Sequence, residues 1–278
     1  MTIRLLTLIG ATATILASAL SAHAQTALKW AHVYETSEPF HTESVWAAEE
    51  IAKRTEGRYK IDVFPASQLG KEADINQGLK LGTVDIIISG SSFAARDHAP
   101  IGVTYFPYIF RDPAHMIAYT KSDVFKRLAA GYEEASGNHI TAVTYYGTRH
   151  TTSNRPITKC ADMQVTTIEA KKFFEVQKHI VLTGHIVDHL NTVVSKNLWS
   201  QLSDADKQIF TEVMQEAAER ATKIIEEREK ELVATFKERG IEVTEVDRAD
   251  FEKTVNEKVA LEDFGYVKED WEAIRAVK

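Results

Sequence analysis

The chain has 278 residues, 44% hydrophobic and 26% charged, with 33 basic against 40 acidic side chains and a net charge of −7. That length and apolar content support a real core in one large or two smaller lobes, and exclude a disordered or low-complexity chain. The acidic balance argues against nucleic acid and anionic lipid as partners but not against an acidic small molecule, because one buried arginine outweighs a weak long-range field.

The first 24 residues read as a secretory signal. Arg4 supplies the positive start, Leu5 to Leu20 the apolar run, and Ala22-His23-Ala24 a small-x-small cleavage site. The run is short for a membrane span, which sets the signal reading above an uncleaved anchor. Removing it takes away one base and no acid. No later segment approaches the length of an apolar span, so the mature protein is expected to be soluble. The single cysteine, Cys160, excludes an internal disulfide. It reads as a small buried side chain, with a reactive thiol or a dimer link as alternatives.

Leu28 to Tyr34 reads as a strand, and Glu35 to Pro39 as turn chemistry. Val45, Ala48, Ile51 and Ala52 recur at helical spacing, so residues 40–55 are expected to form an amphipathic helix that Gly57 ends. Tyr59 to Phe64 alternates as a second strand. A loop through Gly70 leads to a helix over 71–81. Val84 to Ser89 is an apolar, β-branched run suited to a buried strand. The order strand, helix, strand, helix, strand implies an open α/β lobe with a largely parallel sheet. Ser89 to Ser92 then lies just past the third strand, a ligand-facing place in such sheets. A helix is expected over 113–130, a strand over 139–145, and a helix over 167–179. Ile180 to Val194 favours strand. Ser203 caps a helical stretch running to Gly240, long enough to bend or to bridge two lobes. Ile241 to Val243 reads as a short strand, and a last helix or two closes the chain around Gly265.

Arg149 stands just beyond the strand 139–145, in Tyr145-Tyr146-Gly147-Thr148-Arg149-His150. A guanidinium has a planar fork of donors that matches a carboxylate with two parallel hydrogen bonds. Strand-end loops are where α/β proteins place ligand groups, although Arg149 and Arg155 also fit a surface turn. His32 and Glu35 at the end of the first strand, Glu72 at a helix start, Ser91 and Asn154 are further candidate contacts. Each also has a plain structural reading: a dipole effect for Glu72, a cap for Ser91, a turn for Asn154. No phosphate loop, nucleophile elbow or dinucleotide fingerprint is present. His179, His185 and His189 invite a zinc reading, but Gly184 and β-branched neighbours disfavour the helix that would align two of them, and no matched carboxylate accompanies them. Neither a metal, nor a cofactor, nor a catalytic residue is therefore expected. A secreted metal-dependent hydrolase stays a remote alternative.

Three runs stand out, Phe64-Pro65-Ala66-Ser67-Gln68-Leu69-Gly70, the Gly147-Thr148-Arg149 stretch through Pro156, and Glu169-Ala170-Lys171-Lys172-Phe173-Phe174-Glu175-Val176-Gln177-Lys178, and the last two are specific. With Leu81-Gly82-Thr83-Val84-Asp85 and Ala161-Asp162-Met163, they resemble the DctP-type solute receptors of TRAP transporters over nearly everything after residue 27. The resemblance implies a two-lobed, periplasmic-binding-protein-like α/β fold with a long bridging helix. It also implies a monomeric periplasmic receptor that closes on an organic acid and hands it to membrane permease subunits. It gives Arg149 the ligand carboxylate. The opening Trp30-Ala31-His32-Val33-Tyr34-Glu35 resembles the branch that binds hexuronates such as galacturonate or glucuronate. The family continues after Ala-Asp-Met with a strand, a helix and a ligand-holding loop. Here Gln164 to Ile168 joins the ends directly, so an internal deletion after Met163 and a shortened second lobe are expected. The implied organisation is a signal over 1–24, a first lobe over 25–145, a reduced second lobe over 146–189, and a crossover strand, long helix and terminal helices over 190–278. The deletion removes part of the cleft, so a truncated, ligand-incompetent remnant is the competing reading. In that case apolar faces are left exposed and Arg149 hydrated on an open wall.

Overall fold

The computed structural model describes residues 25–154 and 161–278. The signal segment, Arg155 and Cys160 lie outside the described residues. Among the described residues seven strands form one sheet in the order β2 (Tyr59–Phe64), β1 (Thr26–Ala31), β3 (Ile86–Gly90), β6 (His179–Val194), β4 (His139–Ser153) and β5 (Ala161–Gln164), with β7 (Glu242–Glu245) paired to β6. β1 (Thr26–Ala31), β2 (Tyr59–Phe64) and β3 (Ile86–Gly90) run parallel, joined by α1 (Pro39–Arg54) and α2 (Glu72–Leu81). Pro39 starts α1 where its missing N–H costs nothing, and Phe40, Ala47, Ala48 and Ile51 turn inward. Gly82 closes α2 in the left-handed region. Ile86, Ile87 and Ile88 are all buried, as an interior parallel strand requires. The α/β reading of this half holds.

α3 (Ser91–Ala94) and a 3-10 segment lead to two helices where the sequence suggested one. α4 (Pro113–Thr120) stops and α5 (Asp123–Ser136) restarts, because the Ser122 hydroxyl accepts the Phe125 N–H and caps a new helix. β4 (His139–Ser153) is far longer than the expected strand. It pairs antiparallel with β6 (His179–Val194) along most of its length and absorbs register shifts near residues 140–142, 145–147 and 149–151. Arg149 therefore sits within a strand, not on a loop after one. β5 (Ala161–Gln164) pairs with β4 and passes into α6 (Val165–Ala170). The helix expected over 167–179 ends early: Lys172 takes a left-handed φ of 54°, and a 3-10 turn leads straight into β6.

After α7 (Lys196–Gln201), Ser203 caps α8 (Asp204–Glu238), 35 residues long. β7 (Glu242–Glu245), α9 (Arg248–Lys258) and α10 (Lys268–Arg275) complete the chain. The main core runs from Trp30 and Ile51 through Tyr119, Leu190, Phe210 and Ile225. A second, small core holds Val165, Ile168, Ile180, Leu232, Phe236 and Ile241, where the end of α8 packs on α6 and the far end of the sheet. Val176 is exposed. The apolar surface expected to lie open at the junction is thus partly closed by α8, whose Leu232 and Phe236 are buried. No helix among the described residues is long and apolar enough to cross a membrane.

Candidate functional site

The pairing of β4 with β6 sets Gly147 against Asp188 and Arg149 against Ile186. Arg149 Nε donates to Asp188 Oδ2 at 2.9 Å. Its Nη2 donates to the Tyr105 hydroxyl at 2.5 Å, and Nη1 reaches the Asp162 carboxylate at 3.4 Å. Asp188 is buried and takes three more donors: the Tyr105 hydroxyl at 3.1 Å, Gln164 Nε2 at 2.9 Å and the His189 N–H at 2.8 Å. Burial pulls the Arg149 pKa down, but Asp188, Tyr105 and Asp162 outweigh it and hold the value above the ordinary one. Burial, then the Asp188 charge, pushes Tyr105 up, so it stays a neutral donor. The arginine that the remnant reading would leave hydrated on an open wall is instead 19% exposed and tied to a buried carboxylate. The reason is local: the bulge at 145–147 brings Gly147 opposite Asp188, and Tyr105 and Gln164 close over the pair.

Glu72 crosses from the first turn of α2 to the end of β3. Its Oε1 accepts the Gly90 N–H at 2.7 Å and the Ser89 hydroxyl at 2.9 Å. Burial raises its pKa and those two donors pull it back; Asp188 and Arg149 also lie within its field. His32 is buried. Its Nδ1 accepts the Tyr34 N–H at 3.3 Å, and its Nε2 lies 3.3 Å from His41 Nδ1. Burial, with His41 alongside, lowers its pKa to about 3, so the ring is neutral. Glu35 is more exposed and accepts Lys171 Nζ at 2.8 Å, linking the loop after β1 to the segment after α6. Ser91 is fully buried between His189 Nε2 at 2.9 Å and Asn191 Nδ2 at 3.0 Å. Asn154 is exposed at the end of β4 and shares none of these contacts among the described residues. Of the six candidates, then, Arg149 and Glu72 share one polar neighbourhood. His32 and Ser91 are buried with hydrogen-bond partners inside the protein, and Glu35 is partly exposed and paired with Lys171.

Sequence reading missed Asp188, Tyr105 and Gln164. A signal existed for Asp188: a carboxylate inside the apolar run Ile186-Val187-Asp188-His189-Leu190 has to find a cation or several donors. Tyr34, Tyr146 and Glu38 border the same neighbourhood, since the Tyr34 hydroxyl feels Glu72, Tyr146, Asp188 and Glu38. Burial lifts the Glu38 pKa to about 7. The three histidines of β6 have separate partners: His179 lies 3.0 Å from Glu242, His185 3.3 Å from Asp162, and His189 faces Ser91. Among the described residues no group of three or more His, Cys, Asp or Glu is arranged to hold a metal.

The family model of the bacterial extracellular solute-binding proteins, family 7 (DctP), matches residues 30–165 and 164–263. The two pieces meet where Gln164 joins Val165, next to the position at which the resemblance locates a missing segment. The chain is 25% identical to the sialic acid-binding periplasmic protein SiaP of Vibrio cholerae, over 86% of this chain and 89% of that one. That alignment runs over 286 positions, more than the whole of this chain, so it crosses positions that are absent here. The 2,3-diketo-L-gulonate-binding periplasmic protein YiaO of Escherichia coli is 27% identical, over 75% of this chain and 78% of that one. Among solved structures, a TRAP periplasmic solute binding protein from Polaromonas sp. JS666 bound to D-erythronate matches with a TM-score of 0.80 and 26% identity. The match covers 91% of this chain and 99% of that one. One from Citrobacter koseri with bound D-glucuronate shares the fold at a TM-score of 0.83 and 21% identity, covering 91% and 100%. The chain belongs to the bacterial extracellular solute-binding proteins of family 7, the DctP-type receptors of TRAP transporters.

Proposed function

We propose that this chain binds a sugar acid of the hexuronate class, galacturonate or glucuronate, outside the cytoplasm and delivers it to the membrane permease of a TRAP transporter. The observation that carries the reading is Arg149, positioned by Asp188 and Tyr105, with Glu72 in its field. The guanidinium suits a carboxylate. Asp188, Glu72 and the Tyr105 hydroxyl suit the hydroxyl groups of a sugar, which donate as well as accept. The D-glucuronate-bound and D-erythronate-bound neighbours support a polyhydroxy acid as ligand. His32, Glu35, Ser91 and Asn154 stay second-rank contacts. The protein works as a monomer in the periplasm after cleavage near Ala24, breaks no bond and uses no cofactor. Residues 25–145 and 146–189 act as the walls that approach each other, with 190–278 bracing both. The acid shifts the population toward the closed form by as much as it prefers that form.

One observation favours a second reading. All three guanidinium nitrogens of Arg149 already have internal partners, and the second apolar core holds six buried side chains. A remnant that folds but no longer binds fits that as well. Thermal unfolding with millimolar galacturonate or glucuronate separates the two. A receptor gains stability by mass action, and a remnant shows no rise in its midpoint.

A further inference from the structure

Where β4 bulges away from β6, its backbone is taken over by α8. The Tyr145 N–H donates to Thr222 Oγ1 at 3.0 Å, and the Thr148 N–H donates to Glu229 Oε1 at 2.7 Å. Thr222 and Glu229 are seven residues apart, two turns on one helix face, or about 10.5 Å of rise. Tyr145 and Thr148 are three residues apart on a strand, about 10 Å. The two spacings match, so the helix and the bulged strand dock in register. Glu229 Oε2 also accepts the Tyr145 hydroxyl at 2.6 Å, and that hydroxyl lies 2.8 Å from Thr148 Oγ1. Gly147 makes the approach possible: its φ is +123°, and a Cβ there would stand 2.9 Å from Glu229 Oε1 and 3.0 Å from Gln164 Cβ. The next residue along the strand from Thr148 is Arg149, whose Nε is fixed on Asp188. Next to Glu229 on the helix, Arg228 holds Glu169 of α6 at 2.6 Å.

We propose that Glu229 is a positioning residue: its carboxylate latches α8 to the 145–148 bulge and thereby sets where the Arg149 guanidinium stands. A bulge bends a strand and needs its freed N–H groups satisfied, so whatever satisfies them fixes the bend. Two hydrogen bonds to an ionised carboxylate are stronger than those to a neutral amide, so both weaken when the charge is removed. Movement of α8 relative to the sheet is thus passed to Arg149 through Thr148. This rests on the ligand reading only where affinity is concerned; the latch itself is a property of the ligand-free protein.

The test is Glu229→Gln in the full chain, beside Thr222→Val and the exposed helix control Glu227→Gln. Amide and arginine side-chain NMR follow the Thr148 N–H and the Arg149 Nε–H. In Glu229→Gln the Thr148 amide shifts upfield and the Arg149 Nε–H exchanges with water about tenfold faster. Glu227→Gln leaves both in place, and Thr222→Val moves Tyr145 first. A Glu229→Gln protein with lowered stability but an unmoved Arg149 Nε–H overturns the proposal, since Glu229 would then only pack. If the wild type binds no uronate, the ligand reading fails while these ligand-free signals still decide the latch. If it binds, Glu229→Gln lowers uronate affinity about tenfold, and unchanged affinity counts against the latch.

Discussion

The Arg149–Asp188 pair gives the most quantitative test. Substituting Arg149→Ala leaves the buried Asp188 carboxylate with the Tyr105 hydroxyl, Gln164 Nε2 and the His189 N–H. Removing one partner of a buried pair costs about 3–5 kcal/mol, and three surviving donors place this case near about 3 kcal/mol. Asp188→Asn leaves the guanidinium with the Tyr105 hydroxyl, Asp162 and some water, since 19% of its side chain is exposed, so about 2 kcal/mol is expected. Making both changes removes both charges, and the combined loss should fall short of the sum by about 2 kcal/mol. Urea unfolding of the four proteins at neutral pH measures this, provided the urea dependence of stability is the same in all four. A coupling below about 0.5 kcal/mol would mean that the two groups do not depend on each other, and the account of the site's electrostatics would fall.

Glu38 should make stability fall as pH rises. Its folded pKa of about 7 lies above the ordinary 4.5, so the folded state holds the proton more tightly, and the contribution is lost between those two values. Glu38→Gln should gain on the wild type across that window by about 3 kcal/mol at most, followed by unfolding at pH 4.5 and 7.5; a flat difference refutes it. Gly147→Ala should cost about 2–3 kcal/mol through its left-handed backbone and the close Glu229 and Gln164 atoms; a loss under about 0.5 kcal/mol in thermal unfolding is the contrary outcome. Phe236→Ala should cost about 3 kcal/mol because the small core has little else to close the cavity; hydrogen exchange of β7 should rise with it, and an unchanged β7 would show that this core is not holding the strand. Ser122→Ala should cost about 1 kcal/mol by uncapping α5, and a neutral result would argue that α4 and α5 can fuse into the single helix their sequence suggests.

Much of the first half was legible because local rules agree there. Pro39, the apolar spacing of α1, the β-branched run of β3 and Gly82 after α2 each name their own structure. The division between α4 and α5 hinged on one serine in a continuous apolar pattern. The sequence pattern ends this strand near residue 145, because Tyr145 to Ser153 carries glycine, threonines and charge, a composition that reads as loop; the partner strand β6, farther along the chain, decides it. For the same reason the sequence marks Arg149 as chemically special but does not mark its partner. Residue type advertises a guanidinium, but which carboxylate it meets depends on strand register and on a bulge. Gln164 and Tyr105 join that pair from two further segments, so no local pattern could reveal them. Glu72 is a candidate contact by sequence, with a dipole effect as its plain alternative, and the structure adds its reach to Ser89 and Gly90.

Calorimetric titration of the chain with galacturonate and glucuronate, beside Arg149→Ala, bears most directly on the role given to this arginine. Saturable heat with one of the two acids, abolished by the substitution in a protein that still unfolds cooperatively, is the expected result. Binding that survives the substitution unchanged, or no heat from a natively folded wild type at millimolar acid, would contradict it.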